Sequence, residues 1–82
     1  MRVELSDLCY RCRKLPAMNG MSVEDFLETA YSIHSTDPEK YLKIGGDTGV
    51  VVILNNAIVM GDGCTTCGRK ILDWARELRV IR

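Results

Sequence analysis

The four cysteines of this chain form two Cys-x-x-Cys pairs, Cys9/Cys12 and Cys64/Cys67. A two-residue spacer lets one tight turn aim both thiolates at a single point. That is the bite a tetrahedral Zn²⁺ with bonds of about 2.3 Å requires. Two such pairs make a closed four-sulfur site, so the sequence predicts Zn²⁺ held by Cys9, Cys12, Cys64 and Cys67. Iron fits the same four thiolates and stays open as the alternative metal. A metal bridging the pairs closes a loop over residues 13–63, most of the chain, and the fold must be organised around it.

Thiol–disulfide exchange is the competing chemistry. Cys64-Thr65-Thr66-Cys67, after a strand-like run and at a helix start, resembles a thioredoxin-like active site. That arrangement places its motif after the first strand and needs a proline ahead of a later strand. Here Pro16 and Pro38 precede no strand-like run, and the well-placed pair comes last. Metal is the favoured reading, with a redox protein as second alternative.

Other chemistry-bearing residues are sparse. His34 is the only histidine, ends an apolar helical stripe and has no cysteine within metal-motif spacing. A helix-end role facing the dipole or the core is favoured over ligand or base. No Ser/His/Asp set, phosphate-cradling glycine loop or open metal position is evident, which points away from catalysis. Asp47 and Asp62 lie in glycine-rich turns, where turn chemistry explains them.

Formal net charge is zero, which argues against a general nucleic-acid magnet. The distribution is uneven: residues 1–18 and 61–82 hold nine of the eleven basic groups against five acids. Arg11, Arg13, Lys14, Arg69 and Lys70 flank the cysteines and must converge if the cysteines do. They are candidate phosphate contacts, giving nucleic-acid binding as the first alternative function. The favoured reading is that they offset a four-thiolate zinc centre of charge −2 and otherwise face solvent.

Eighty-two residues make one domain, 1–82. A hydrophobic fraction of 46% supports a core, but burial at this size leaves a thin margin, and a staple is expected. The chain shows no signal-peptide-like stretch and no run of about 18 apolar residues that would span a membrane. The cytoplasm is the expected compartment, where paired cysteines more often mean metal than disulfide.

The elements that must position the cysteines follow from pattern. Residues 2–5 read as a short strand and 15–20 as a loop punctuated by Pro16 and Asn19-Gly20. Ser22 and Asp25 form a capping-box-like pair, and Met21 with Phe26 a hydrophobic staple. Val23, Phe26, Leu27, Ala30, Tyr31 and His34 continue the helical face. Asp37-Pro38 opens a second helix to about Ile44, stopped by Gly45-Gly46. These helices form an insert at about 22–44. Residues 50–54 and 57–60, around Asn55-Asn56, read as a β-hairpin. Thr66 to about Val80 reads as a helix with Ile71, Trp74, Ala75 and Leu78 on its apolar stripe, Ile81 close behind.

The knuckle Cys9-Tyr10-Arg11-Cys12, the hairpin 50–60, and Cys64-Thr65-Thr66-Cys67-Gly68-Arg69-Lys70 opening a helix resemble the treble-clef class of zinc fingers. The likeness covers about half the chain, and the insert departs from compact versions. It implies an α+β fold with a structural metal and leaves function open. Thiolates at a helix N-terminus are independently favoured by free N–H groups and the dipole.

The hairpin so read is apolar on both faces, with Val51, Ile53, Ile58 and Met60 on one of them. A small domain normally wets one ribbon face. These four are the candidate partner surface, for a protein partner or self-association. The expected role is a small structural-zinc protein acting as a binding or regulatory adaptor for another macromolecule.

Overall fold

Asn19 and Gly20 both take positive φ, 50° and 75°, in a two-residue turn. Such a turn matches strand twist, and it folds the segment expected to be loop into the chain's small antiparallel sheet. Strand β1 (Pro16–Met18) pairs with β2 (Met21–Ser22), with Met18 opposite Met21 and Pro16 opposite Ser22. The computed structural model describes residues 2–80, and Ile81 and Arg82 lie outside them. No other sheet is present among the described residues.

Helix α1 (Tyr10–Arg13) precedes this hairpin. Helix α2 (Val23–Thr36) follows it directly, with the Ser22 hydroxyl accepting from the Asp25 N–H at 3.2 Å as its N-cap. Of its expected stripe, Val23, Phe26, Leu27 and Ala30 are buried, and Tyr31 and His34 are half-buried. Helix α3 (Pro38–Lys43) is capped by the Asp37 carboxylate on the Lys40 N–H, 3.2 Å, with proline in its first turn. Gly45 and Gly46, at φ 119° and 59°, then turn the chain.

The expected hairpin at 50–60 is not formed. Residues 46–54 are helix α4 (Gly46–Leu54), which runs on into a π-helical segment, Asn55–Asp62, kinked at Gly61 where the backbone leaves helical geometry (φ −102°, ψ −143°). The burial pattern gives the reason. Val50, Val51, Leu54, Ala57 and Ile58 are buried, a spacing of i, i+1, i+4, i+7 and i+8 that lies on one helical face. An unbroken apolar run satisfies period 2 and period 3.6 alike, so periodicity cannot separate a buried strand from a buried helix. Packing against α5 (Thr65–Glu77) decides for the helix. The ribbon at 50–60 on which the treble-clef likeness partly rested is therefore absent, and the first cysteine pair, like the second, opens a helix.

The first residues also depart from expectation. Residues 2–4 form no strand, and Leu5–Asp7 is a 3-10 turn whose Asp7 carboxylate accepts from the Glu4 N–H at 2.8 Å. Val3 is buried, its carbonyl accepts from the Tyr31 hydroxyl, and the Arg2 guanidinium lies 3.8 Å over the Tyr31 ring. The N-terminal segment is thus pinned by side chains instead of sheet pairing.

Helix α5 runs three residues shorter than expected at its C-terminal end, and Ile71, Trp74 and Ala75 are buried as its stripe. It stops where Arg79 turns left-handed (φ 61°) and the Val80 N–H reaches back to the Ala75 carbonyl at 2.9 Å. The core gathers Trp74, Leu27, Leu54, Ile58, Ile71, Val3, Val23 and Val51 with Cys12 and Cys67, so two of the four thiols belong to it. No helix among the described residues is long and apolar enough to cross a membrane.

Gly63 joins this core to the second cysteine pair. A Cβ there would lie 2.3 Å from the Ile58 Cγ2 and 2.7 Å from the Ile58 carbonyl oxygen. The Gly63 N–H donates to that same carbonyl at 3.1 Å. Gly63→Ala should therefore push the π-helical segment off α5 and displace Cys64, costing about 2 kcal/mol as an overpacking change. Thermal unfolding of the metal-loaded protein should show a drop of about 10 °C for a domain of this size. An unchanged midpoint would contradict the packing described.

Candidate metal centre

Each cysteine pair sits on the first turn of a helix in the same way. Cys9 is the N-cap of α1, with φ −70° and ψ 160°, and Cys64 is the N-cap of α5, with φ −78° and ψ 158°. The second cysteine of each pair falls three residues on, where its N–H points back at the N-cap sulfur: Cys12 to Cys9 Sγ at 3.5 Å, and Cys67 to Cys64 Sγ at 3.4 Å. A sulfur takes the place of the usual serine or aspartate oxygen at each cap.

The two turns are then cross-linked. The Cys9 N–H donates to Cys67 Sγ and the Cys64 N–H to Cys12 Sγ, both at 3.3 Å. Together the four bonds form a closed ring in which every cysteine N–H gives to one cysteine sulfur and every sulfur receives one. The helix N-termini add the positive end of their dipoles on the same side. All of this favours negative sulfur.

The four sulfurs lie within 4.8 Å of one another, the one group of three or more candidate ligands of this kind among the described residues. Cys64 Sγ is 3.6 Å from Cys12 Sγ and 3.8 Å from Cys9 Sγ. A tetrahedron with metal–sulfur bonds of about 2.3 Å has edges of about 3.8 Å, so these separations suit a single ion between the sulfurs. They are far beyond the roughly 2.05 Å of a disulfide. Both of these approaches run between the pairs, whereas an exchange motif acts within one pair. The four cysteines are placed to bind a metal.

Environment divides the thiols into two kinds. Cys9 is exposed and Cys64 half-buried, and the N–H groups of Cys12 and Cys67 respectively hold their pKa values below the usual thiol value, Cys64 down to about 6. Cys12 and Cys67 are buried, and burial pushes both up, Cys67 to about 12. Without a cation the outer sulfurs are the acidic ones and the inner pair keeps its protons. A divalent ion would draw thiolate from all four.

The basic residues beside the cysteines are mostly occupied. Lys70 Nζ donates to the Asp7 carbonyl at 2.7 Å and ties α5 to the segment before the first pair. Arg13 Nε donates to the Leu8 carbonyl at 3.0 Å, bracing the same turn. Lys14 pairs with Glu24 at 3.0 Å and lies 5.2 Å over the exposed Tyr10 ring. Arg11 and Arg69 are exposed and carry no ion pair or hydrogen bond among the described residues. Spacing could bring these five cations together, but it could not show that main-chain carbonyls receive two of them.

His34 lies away from the sulfurs, its ring edge-on to Tyr41 with centroids 4.8 Å apart. Asp47, read as a turn residue, accepts the Tyr41 hydroxyl at 2.6 Å. Burial, with that carboxylate, raises the Tyr41 pKa. Of the candidate partner surface, Val51 and Ile58 are buried in the core and belong to no surface. Ile53 is half-buried on the wall of an apolar groove, and Met60 is 75% exposed.

Removing the Lys70 clamp should separate structural from surface cations. Lys70→Ala should cost the metal-loaded protein about 1.5–3 kcal/mol, the range of a hydrogen bond from a charged donor. Arg11→Ala and Arg69→Ala should stay within about 0.5 kcal/mol, as surface changes do. Denaturant unfolding of the three variants measures this, and equal losses would contradict the division.

Compared with known protein families, with curated proteins and with solved structures, the chain shows no match.

Proposed function

We propose that this protein is a structural-zinc domain in which Cys9, Cys12, Cys64 and Cys67 hold one Zn²⁺, and that it serves as a binding or adaptor module for another macromolecule. The observation that carries the metal is the convergence of four sulfurs within 4.8 Å from opposite ends of the sequence. All four positions are filled by thiolates, which leaves no open site for substrate or water and suits a structural ion. Zinc is favoured over iron because it needs no redox partner and accepts the tetrahedral four-sulfur set without electronic preference. Reconstitution should give one Zn²⁺ per chain. Chelation should unfold the protein, because the ion closes the long loop over a core that contains two of its ligands. A metal-free, reduced protein that keeps its near-ultraviolet Trp74 signal would overturn the structural role.

The pH dependence has a definite sign. At pH 7 the thiols of Cys12 and Cys67 hold their protons, since burial raises both above the usual value. Binding must expel those protons, so zinc affinity falls as pH falls and binding at pH 7 releases at least two protons. Calorimetry in buffers of different ionisation enthalpy counts them. Zinc binding with no proton release would contradict the ligand set.

The binding role is supported by apolar surface left outside the core. A groove of about 240 Å³ runs between α2, α4 and the hairpin, lined by Met18, Phe26, Ile33, Ile44 and Ile53 among others. Ile44 is 55% and Met18 37% exposed there, more than a settled core needs. An amphipathic segment of a protein partner fits its chemistry. Ile44→Lys should leave zinc content and melting within experimental error, as befits a surface position. Unfolding by that change would assign the groove to the core and remove this support. Nucleic-acid binding has weaker support, with three of its five candidate cations engaged inside the domain.

A further inference from the structure

The two helix caps differ from the two inner cysteines in their access to solvent. Cys12 and Cys67 are 0% and 2% exposed, whereas Cys9 is exposed and Cys64 half-buried beside it. Their sulfurs stand 3.8 Å apart, and each belongs to a different end of the chain. A small oxidant reaching the cluster meets Cys9 first, and the neighbouring sulfur that solvent also reaches is that of Cys64. Cys9 and Cys12 share one turn, but the inner sulfur of that turn is sealed in the core with Trp74 and Ile71.

We infer that Cys9 is an oxidation site of the loaded domain and Cys64 its resolving partner, so that hydroperoxide replaces the metal staple by a Cys9–Cys64 disulfide. This rests on the zinc reading above. The chemistry balances in two steps. The Cys9 thiolate attacks the outer peroxide oxygen, the O–O bond breaks, and the peroxide leaves as an alcohol or water after taking a proton. Sulfur is oxidised by two electrons to the sulfenic acid and the peroxide is reduced by two. The Cys64 thiolate then attacks the Cys9 sulfur, the S–S bond forms, and hydroxide departs and is protonated to water. Cys12 and Cys67 alone would no longer hold a bound Zn²⁺, which would leave as the ion while their two thiolates take up protons from water.

The structural consequence differs from that of ordinary pair oxidation. A disulfide within either Cys-x-x-Cys would cut the chain ends apart when the metal leaves. A Cys9–Cys64 bond keeps the same loop closed that the metal closed, because it joins the same two turns. The sulfurs must approach from 3.8 Å to the roughly 2.05 Å of a disulfide, a shift that side-chain rotation at the two exposed caps can supply. Oxidation would thus trade a metal link for a covalent one and leave Cys12 and Cys67 reduced.

The test uses the full zinc-loaded chain, with hydrogen peroxide as the probe. Zinc release is followed with a chromogenic chelator, and the products are mapped by non-reducing peptide mass analysis. The expected result is loss of the zinc together with a peptide pair linked through Cys9 and Cys64. The oxidised chain should run faster on a non-reducing denaturing gel, since the bond closes a long loop, and dithiothreitol with Zn²⁺ should restore the starting form. Disulfides confined to Cys9–Cys12 or Cys64–Cys67, which leave mobility unchanged, would overturn the inference, as would zinc release with only sulfinic acid at Cys9. Protein that takes up no zinc at all would instead sink the metal reading. As a check free of ligand loss, N-ethylmaleimide on the loaded wild type should label Cys9 before either inner cysteine. Labelling in the reverse order would also overturn it.

Discussion

A ring of four hydrogen bonds, in which cysteine amides point at cysteine sulfurs, holds the two ends of the chain together. Two of these bonds are local and cap a helix each. The other two cross between residues more than fifty positions apart and hold the helix starts face to face. Thiolate accepts such bonds better than thiol, so the arrangement becomes most favourable when a cation keeps all four sulfurs ionised. A bound cation and the backbone would therefore support one another. The amides fix the sulfur positions, and a cation that keeps the sulfurs ionised would strengthen the bonds those amides make.

This coupling extends into the core. Cys12 and Cys67 lie in the same buried cluster as Trp74, Ile71 and Leu27, so the centre is continuous with the apolar interior. Gly63 brings the chain from the π-helical segment to Cys64 at a distance that admits no side chain. Lys70 closes the other side by binding the Asp7 carbonyl. Apolar packing, a backbone contact and the partly buried Lys70 ammonium thus converge on the turns that present the sulfurs. A domain this small has little surplus stability, which is why disturbance at any of the three is expected to be felt at the metal.

Much of the site was legible because metal ligation leaves a spacing that few other functions need. The two Cys-x-x-Cys turns gave the four thiols that converge, and Ser22, Asp37 and the Ile71/Trp74/Ala75 stripe gave three of the helices. The largest error, the ribbon at 50–60, came from a run with almost no polar residue to set its phase. Val50, Val51, Leu54, Ala57 and Ile58 fit a helical face, yet Val, Ile and Asn-Asn carry strand and turn propensity, and packing against α5 overrode both. The true hairpin straddles the six residues read as a loop and the helix-start residues Met21 and Ser22, although Asn19-Gly20 is the turn that strands favour. Contacts to main-chain oxygen, such as those of Lys70, Arg13 and Tyr31, have no sequence pattern and become visible only once the fold is built.

In the proposed centre one ion sits among the four sulfurs and nothing else completes its shell. Zinc-edge X-ray absorption on purified protein tests this most directly. The claim requires a first shell fitted by four sulfurs at about 2.3 Å with no nitrogen or oxygen component. A shell containing nitrogen or oxygen ligands, or fewer than four sulfurs, would contradict it.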